Sequence, residues 1–211
     1  NRIFLTTAVN SDAEIPSVET GWSGGAGESA SDTGEWTWQV MCLQLETGKQ
    51  LWAEDAHVGT PAVKRHMKAS HANCTPATDG KSVVAFFGSE GLYCFDFDGR
   101  LIWKHDFGKL VSGPYDAPEL EWGFASSPII HNGLVIVQCD CLNANFVAIL
   151  DLKTGEEIRR IDRDGEVATW STPLVVTTAG RSQIVCNGYR QMAGYDLETG
   201  RELWHLTNGG D

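Results

Sequence analysis

The sequence lacks any apolar run long enough to cross a membrane: its apolar runs, such as Leu134–Val137, are of strand length. It has no Cys-x-x-Cys and no neighbouring pair of histidines at ligand spacing, which argues against a zinc-type metal site. It has no Gly-x-Ser-x-Gly, so the nucleophile elbow of a Ser-His-Asp hydrolase is missing. Basic residues are few, 16 Lys and Arg against 28 Asp and Glu, for a net charge of −12. That balance argues against nucleic acid or an anionic membrane as partner and serves solubility. Long helical patterns are scarce as well. With 23 glycines and 42% hydrophobic content in 211 residues, this points to an all-β chain with many tight turns and a large core.

What is present is a repeat. Leu45–Trp52 (LETGKQLW), Phe97–Trp103 (FDGRLIW), Leu152–Arg159 (LKTGEEIR) and Leu197–Trp204 (LETGRELW) each join a strand end to a glycine-centred turn. Gly48, Gly99, Gly155 and Gly200 recur at about fifty-residue intervals, the period of an array of similar units. Four residues after each glycine stands Trp52, Trp103, Arg159 or Trp204.

Before each turn the residues alternate. Met41, Leu43 and Leu45 share one face, as do Tyr93, Phe95 and Phe97, then Ala148, Leu150 and Leu152, then Ala193, Tyr195 and Leu197. This is the period of a strand with one strongly apolar face. The opposite face, with Cys42, Cys94, Ile149 and Gly194, is small or polar and suits close approach by a neighbour. Asp151 and Asp196 precede their glycines by four residues, where a carboxylate accepts from turn N–H groups; Gln44 holds that place in the first unit. Aspartates that recur from unit to unit read as turn locks, since chemistry would need only one. A unit of about fifty residues cannot cover its own apolar faces, so neighbours must stack with the tryptophans wedged between them. Arg159 leaves one joint either exposed or sealed by the arginine stem.

The pattern Asp-x-x-Thr-Gly-x-x-x-Trp after apolar alternation resembles the repeat of the pyrroloquinoline-quinone-type β-propellers. That family includes quinoprotein alcohol dehydrogenases and the barrel-assembly lipoprotein of the Gram-negative outer membrane. The resemblance covers nearly the whole chain, from Arg2 to Trp204. It implies four-stranded antiparallel blades, about four of them, in a ring that closes with about eight. It also implies an extracytoplasmic setting, and a protein partner or the other half of the propeller to cover the two ends, which read as cut from a longer array.

On this basis the units divide as residues 1–56 (opening strand missing, long insertion at 10–35), 57–107, 108–162 and 163–211. The insertion is rich in Gly, Ser, Asp and Glu and is flanked by Trp22, Trp36 and Trp38, which predicts an ordered excursion folded on the body. Residues 56–73 form a basic, His-rich link. Its Lys64, Arg65, His66, Lys68 and His71 either hold an acidic ligand, meet a carboxylate of a neighbouring loop, or simply offset nearby acid. A further excursion spans 108–122.

Strands are expected to open at Asn73-Cys74-Thr75-Pro76, Ala125-Ser126-Ser127-Pro128 and Trp170-Ser171-Thr172-Pro173. In a propeller the loop leading into the innermost strand lies on the ligand-binding face, so His71, Asn73, Trp122, Phe124, Ser126, Trp170 and Ser171 are ligand-binding candidates. Aromatics with hydroxyls and amides suit a flat or sugar-like ligand or a peptide. The competing reading is that the hydroxyls pack the hub and the aromatics seal joints. A quinoprotein dehydrogenase would stack its quinone on a tryptophan such as Trp170 and hold Ca²⁺ with Glu and Asn oxygens. No acidic–amide cluster of that kind, and no adjacent-cysteine pair, is visible. The favoured reading is a noncatalytic binding or scaffolding module, with the quinone- and calcium-dependent dehydrogenase as the alternative. No cofactor, metal ligand or catalytic residue is assigned. The six cysteines read as buried thiols in preference to disulfides.

Overall fold

The computed structural model describes residues 1–11, 29–30 and 32–207, and these are all-β apart from one short 3₁₀ turn at Gly88–Glu90. Strands β1 (Arg2–Asn10), β3 (Trp36–Gln44) and β4 (Gln50–Gly59) make a three-stranded sheet, and the short β2 (Ser29–Ala30) pairs with β5 (Arg65–His66). The second sheet is β6 (Ala77–Thr78), β7 (Ser82–Phe86), β8 (Leu92–Asp96) and β9 (Leu101–His105). The third is β10 (Ile129–His131), β11 (Leu134–Asp140), β12 (Asn145–Asp151) and β13 (Glu157–Asp162). The fourth is β14 (Leu174–Thr178), β15 (Arg181–Asn187), β16 (Gln191–Asp196) and β17 (Glu202–Thr207). Every pairing is antiparallel and strands follow chain order, the meander of a propeller blade. Buried cores join sheets one to two, two to three and three to four, and none among the described residues joins four to one, so the ring is partial and unclosed.

Four strand limits differ from the sequence expectation. The innermost strands begin one residue after Pro76, Pro128 and Pro173, not before them. Proline offers no N–H to a ladder. The residue before it is held by its neighbour instead: Thr75 N–H donates to Ser127 Oγ at 2.9 Å, and Ser127 N–H to Thr172 Oγ1 at 3.1 Å. In addition, residues 56–59 belong to β4 and not to the basic link, because the long β3 carries the register out to the Trp36–Gly59 pair. Trp22 and most of the 10–35 insertion lie outside the described residues.

Each strand's two faces pack against different neighbours. Tyr93 and Phe95 join Trp36, Trp38 and Val40 in the core between sheets one and two. Leu92 and Cys94, on the other face of the same strand, join Ala148, Leu150 and Leu152 between sheets two and three. Val147 and Ile149 meet Ala193, Tyr195 and Leu197 between sheets three and four. The expected apolar face is therefore the one turned to the preceding sheet. For β3 this reverses the burial: Trp36, Trp38, Val40 and Cys42 are buried, whereas Leu45 is 55% exposed, since no described sheet stands on its side.

The joints are closed at the turns. Trp52 Nε1 donates to Phe97 O at 2.9 Å, and Trp103 Nε1 to Leu152 O at 2.8 Å, each reaching the glycine turn of the next sheet. The glycine is needed twice over. Gly155 has φ 72°, and a Cβ there would lie 2.5 Å from Trp103. At the third joint Arg159 takes the indole's place, with Nη1 3.4 Å from Leu197 O and Cδ 2.6 Å from where a Gly200 Cβ would be. The cross-strand partner explains the exception. Cys42, Cys94 and Gly194 stand opposite Trp52, Trp103 and Trp204, but Ile149 stands opposite Arg159. A branched side chain leaves no bed for an indole, while a thin methylene stem fits beside it. Trp204 turns onto its own sheet, donating to Gln183 Oε1 at 2.7 Å.

The turn aspartates act as expected. Asp151 Oδ1 accepts from Lys153 and Thr154 N–H at 2.8 and 2.9 Å, and Asp96 Oδ1 accepts from Asp98 and Arg100 N–H at 2.8 and 2.9 Å. The Thr199 hydroxyl and N–H, with Arg181, hold the Asp196 carboxyl down at about 2. All six cysteines are buried free thiols, and burial pushes those of Cys94, Cys141 and Cys186 up to about 12.

Trp103→Ala removes both the wedge and the hydrogen bond, and the expected loss in a urea titration is about 3–5 kcal/mol. Arg159→Ala is expected to cost clearly less; a loss below about 1 kcal/mol for Trp103→Ala would show that the sheets are held by something else.

Candidate functional site

In a four-stranded antiparallel meander, the lead-in to the first strand and the loop between the second and third strands emerge at the same end. The glycine turns occupy the other. The lead-ins 60–76, 106–128 and 163–173, the hairpin loops 87–91, 141–144 and 188–190, and residues 29–30 and 32–35 ahead of β3 therefore crowd one end of the partial ring.

The basic link is fixed within this crowd. Arg65, 8% exposed, donates from Nε to Asp32 Oδ2 at 2.6 Å and from Nη1 to Ala69 O at 3.0 Å. His71 Nε2 stands 2.9 Å from the same Asp32 oxygen, while its carbonyl accepts from Trp38 Nε1. Burial pushes the His71 imidazole below its ordinary value despite the raising effect of the Asp32 carboxylate. Lys64 N–H donates to Glu121 Oε2 at 3.0 Å, His66 N–H to Trp122 O at 2.9 Å, and Lys68 N–H to His66 Nδ1 at 3.1 Å. Among the three readings of this link, the geometry matches a carboxylate supplied by a neighbouring loop.

The seven ligand-binding candidates fall into two groups and an outlier. His71, Asn73 and Phe124 gather around a space of about 10 Å³, too small for anything beyond a water. Asn73 is occupied by Ser70 N–H and by Phe124 O, and Phe124 packs edge-on against Phe86 at 4.8 Å. Ser126 is buried with its hydroxyl unpartnered among the described residues, and its carbonyl accepts from the Cys74 thiol. Trp122, Trp170 and Ser171 come together elsewhere. The two indoles stack with centroids 5.6 Å apart and planes at 29°, and Trp170 Nε1 donates to Gly123 O at 2.8 Å.

Trp170 and Ser171 line an open cavity of about 320 Å³ with Thr169, Asn187 and Tyr189; small Ala168 and Gly188 complete it. Tyr189 is backed by Tyr115, with ring centroids 4.9 Å apart. Asn187 Nδ2 donates to Ser171 Oγ at 3.2 Å. Asn187 Oδ1 and Thr169 Oγ1 have no partner among the described residues. The sequence reading missed Asn187 and Tyr189, because the hairpin loop 188–190 carries no repeat signature, and it passed over Tyr115 and Thr169 in the lead-ins.

Behind the cavity runs a buried polar network that was also missed. Arg163, 1% exposed, donates from Nε to both Asp140 oxygens at 2.8 and 3.1 Å and from Nη1 to Tyr195 OH at 2.8 Å. Gln138 Nε2 donates to Asp140 and to Asn187 O, tying sheet three to sheet four. Glu166 accepts from the N–H groups of Arg190 and Gln191, both at 3.0 Å, and so fixes the loop that presents Tyr189. Burial raises the Asp140 carboxyl even against the Arg163 charge. The signal available in the sequence was an acid inside an apolar strand (Cys139-Asp-Cys141), which requires a buried cation.

Among the described residues, no group of three or more His, Cys, Asp or Glu side chains is placed to hold a metal ion. No described helix is long and apolar enough to cross a membrane.

The PQQ_2 family model, described as outer membrane protein assembly factor BamB, matches residues 37–210. The chain belongs to this family. Among solved structures the BamB-family chain is similar to BamB from Moraxella catarrhalis, with a TM-score of 0.50 and 18% identity over 84% of this chain and 48% of that one. It is similar to a europium-containing methanol dehydrogenase, at 0.51 and 12% over 85% and 41%. It is also similar to quinohemoprotein alcohol dehydrogenase from Comamonas testosteroni, at 0.56 and 14% over 87% and 35%. At these identities the likeness is one of fold, shared with an assembly factor and with enzymes alike. The chain spans less than half the length of each of these three proteins. No curated protein matches it.

Gly188 sits where a Cβ would lie 2.5 Å from both Arg163 Nη2 and Glu166 Oε1, and its backbone is in no left-handed conformation. Gly188→Ala is therefore expected to destabilise by about 1–3 kcal/mol through overpacking alone. A thermal melt reads this directly, and an unchanged midpoint would show that the network yields freely.

Proposed function

We propose that the chain is part of a noncatalytic PQQ-like propeller, a binding or scaffolding module placed outside the cytoplasm. Its ligand or partner sits on the end that carries the lead-in loops. The observation behind this reading is that the polar groups gathered there hold loops to one another. Asp32 joins Arg65 to His71, and Glu166 and Asp140 are committed to backbone and to Arg163. A catalytic acid or base must instead face a substrate with a proton to give or take. The membership in a family named for an assembly factor supports the same reading.

The alternative is a quinone- and calcium-dependent dehydrogenase, the activity named for two of the similar structures. A carboxylated tricyclic quinone needs an open aromatic platform, cations for its carboxylates and clustered oxygens for Ca²⁺. Among the described residues no cationic side chain lines the cavity beside Trp170, and Glu166 is already bonded to two N–H groups. The residues present do not fit that group.

Titration with the quinone, followed by absorbance with and without Ca²⁺, separates the two readings. The expected result is no stoichiometric complex and no dye-linked alcohol oxidation; a one-to-one complex that oxidises alcohols would replace the binding module with the enzyme.

A further inference from the structure

Resting on the reading of this end as a binding face, we propose that the cavity at Trp170 and Tyr189 is a subsite for a neutral carbohydrate. Its chemistry is specific in three ways. Two of its lining side chains are aromatic, and each is stiffened from behind by a second ring, Trp122 on Trp170 and Tyr115 on Tyr189. Trp170 remains 36% exposed, so ring surface is left for a ligand. The C–H face of a pyranose lies flat on such a surface with little rotamer entropy lost, because the platform is held before binding.

The polar part of the lining is uncharged. Asn187 Oδ1 and Thr169 Oγ1 are without partners among the described residues, and Ser171 Oγ accepts from Asn187 Nδ2 while its own proton is free to donate. The Ser171 hydroxyl suits a sugar hydroxyl, and the Asn187 oxygen and Thr169 hydroxyl, both buried in the cavity wall, keep unfilled hydrogen-bonding capacity behind it. No Lys, Arg, Asp or Glu lines the cavity, and the chain's net charge of −12 disfavours an acidic ligand. At about 320 Å³ the space lies at the small end of ligand sites, which run from about 300 to 1,000 Å³.

An extended peptide is the competing occupant, and the topology disfavours it. Strands β15 and β16, which carry Asn187 and flank Tyr189, are each paired on both sides, so neither offers an edge to a peptide in the cavity. Nor does a charge stand ready for a peptide terminus.

The test is calorimetric titration of the chain with cellohexaose, maltohexaose, xylohexaose and chitohexaose, alongside a neutral peptide array. At least one oligosaccharide is expected to bind. Each of Trp170→Ala and Tyr189→Ala should weaken it by about three- to tenfold, the value of one stacked ring. Trp170→Phe, which keeps a ring, should bind within about threefold of the parent, and its melting point guards against a folding artefact. Failure of all four oligosaccharides at millimolar concentration, or binding indifferent to both alanine variants, overturns the proposal. Peptide binding lost in Trp170→Ala would overturn the carbohydrate assignment and leave the binding face standing. Silence from both ligand classes would count against the binding face as well.

Discussion

An indole N–H from one sheet, held by a turn carbonyl of the next, is the contact on which this architecture depends. Trp52 to Phe97 and Trp103 to Leu152 are the same bond made twice, and Arg159 to Leu197 is its substitute. The bond matters because a four-stranded sheet with two apolar faces has no stable existence in isolation. The indole supplies apolar area against the neighbour, and the N–H fixes the neighbour's rotation by demanding one carbonyl. The glycine allows the turn to come close enough. Together they fix how one sheet seats on the next, while the meander within each sheet puts the lead-in loops at one end.

Much of this was legible because it recurs. A glycine and an indole at fixed spacing, repeated along the chain, can be read without coordinates, and so can the aspartate that accepts from turn N–H groups. Alternation alone, however, does not say which of two apolar faces is covered. On β3 the covered face is Trp36, Trp38, Val40 and Cys42, and the Met41, Leu43 and Leu45 face is open. The Arg159 exception was visible as a break, but its cause needed the register: Ile149 occupies the bed that cysteine or glycine leaves free elsewhere.

The candidate site was legible only where it lay in the lead-ins. Trp122, Trp170 and Ser171 could be named from their place ahead of the innermost strands. Tyr189 and Asn187 sit around a hairpin loop whose sequence resembles none of its counterparts. Their neighbourhood follows from Glu166 and Gly188, whose relation is purely spatial. Asp32, likewise, gives no sign in a stretch rich in Gly and Ser that it will bond to Arg65 and His71. Repeats encode the scaffold, and single-copy residues encode what is mounted on it, so one can be read in the sequence and the other mostly cannot.

Hydrogen exchange of the indole N–H groups, followed by NMR in the native state, tests the central claim most directly. If the sheets are held as described, the buried Trp103 indole N–H exchanges only on unfolding of the joint between sheets two and three. Its protection should then equal that of the Val147 and Leu150 amides in β12. Exchange of the Trp103 indole as fast as that of the half-buried Trp204 indole would contradict the account, because the bond to Leu152 would then be dispensable to the packing.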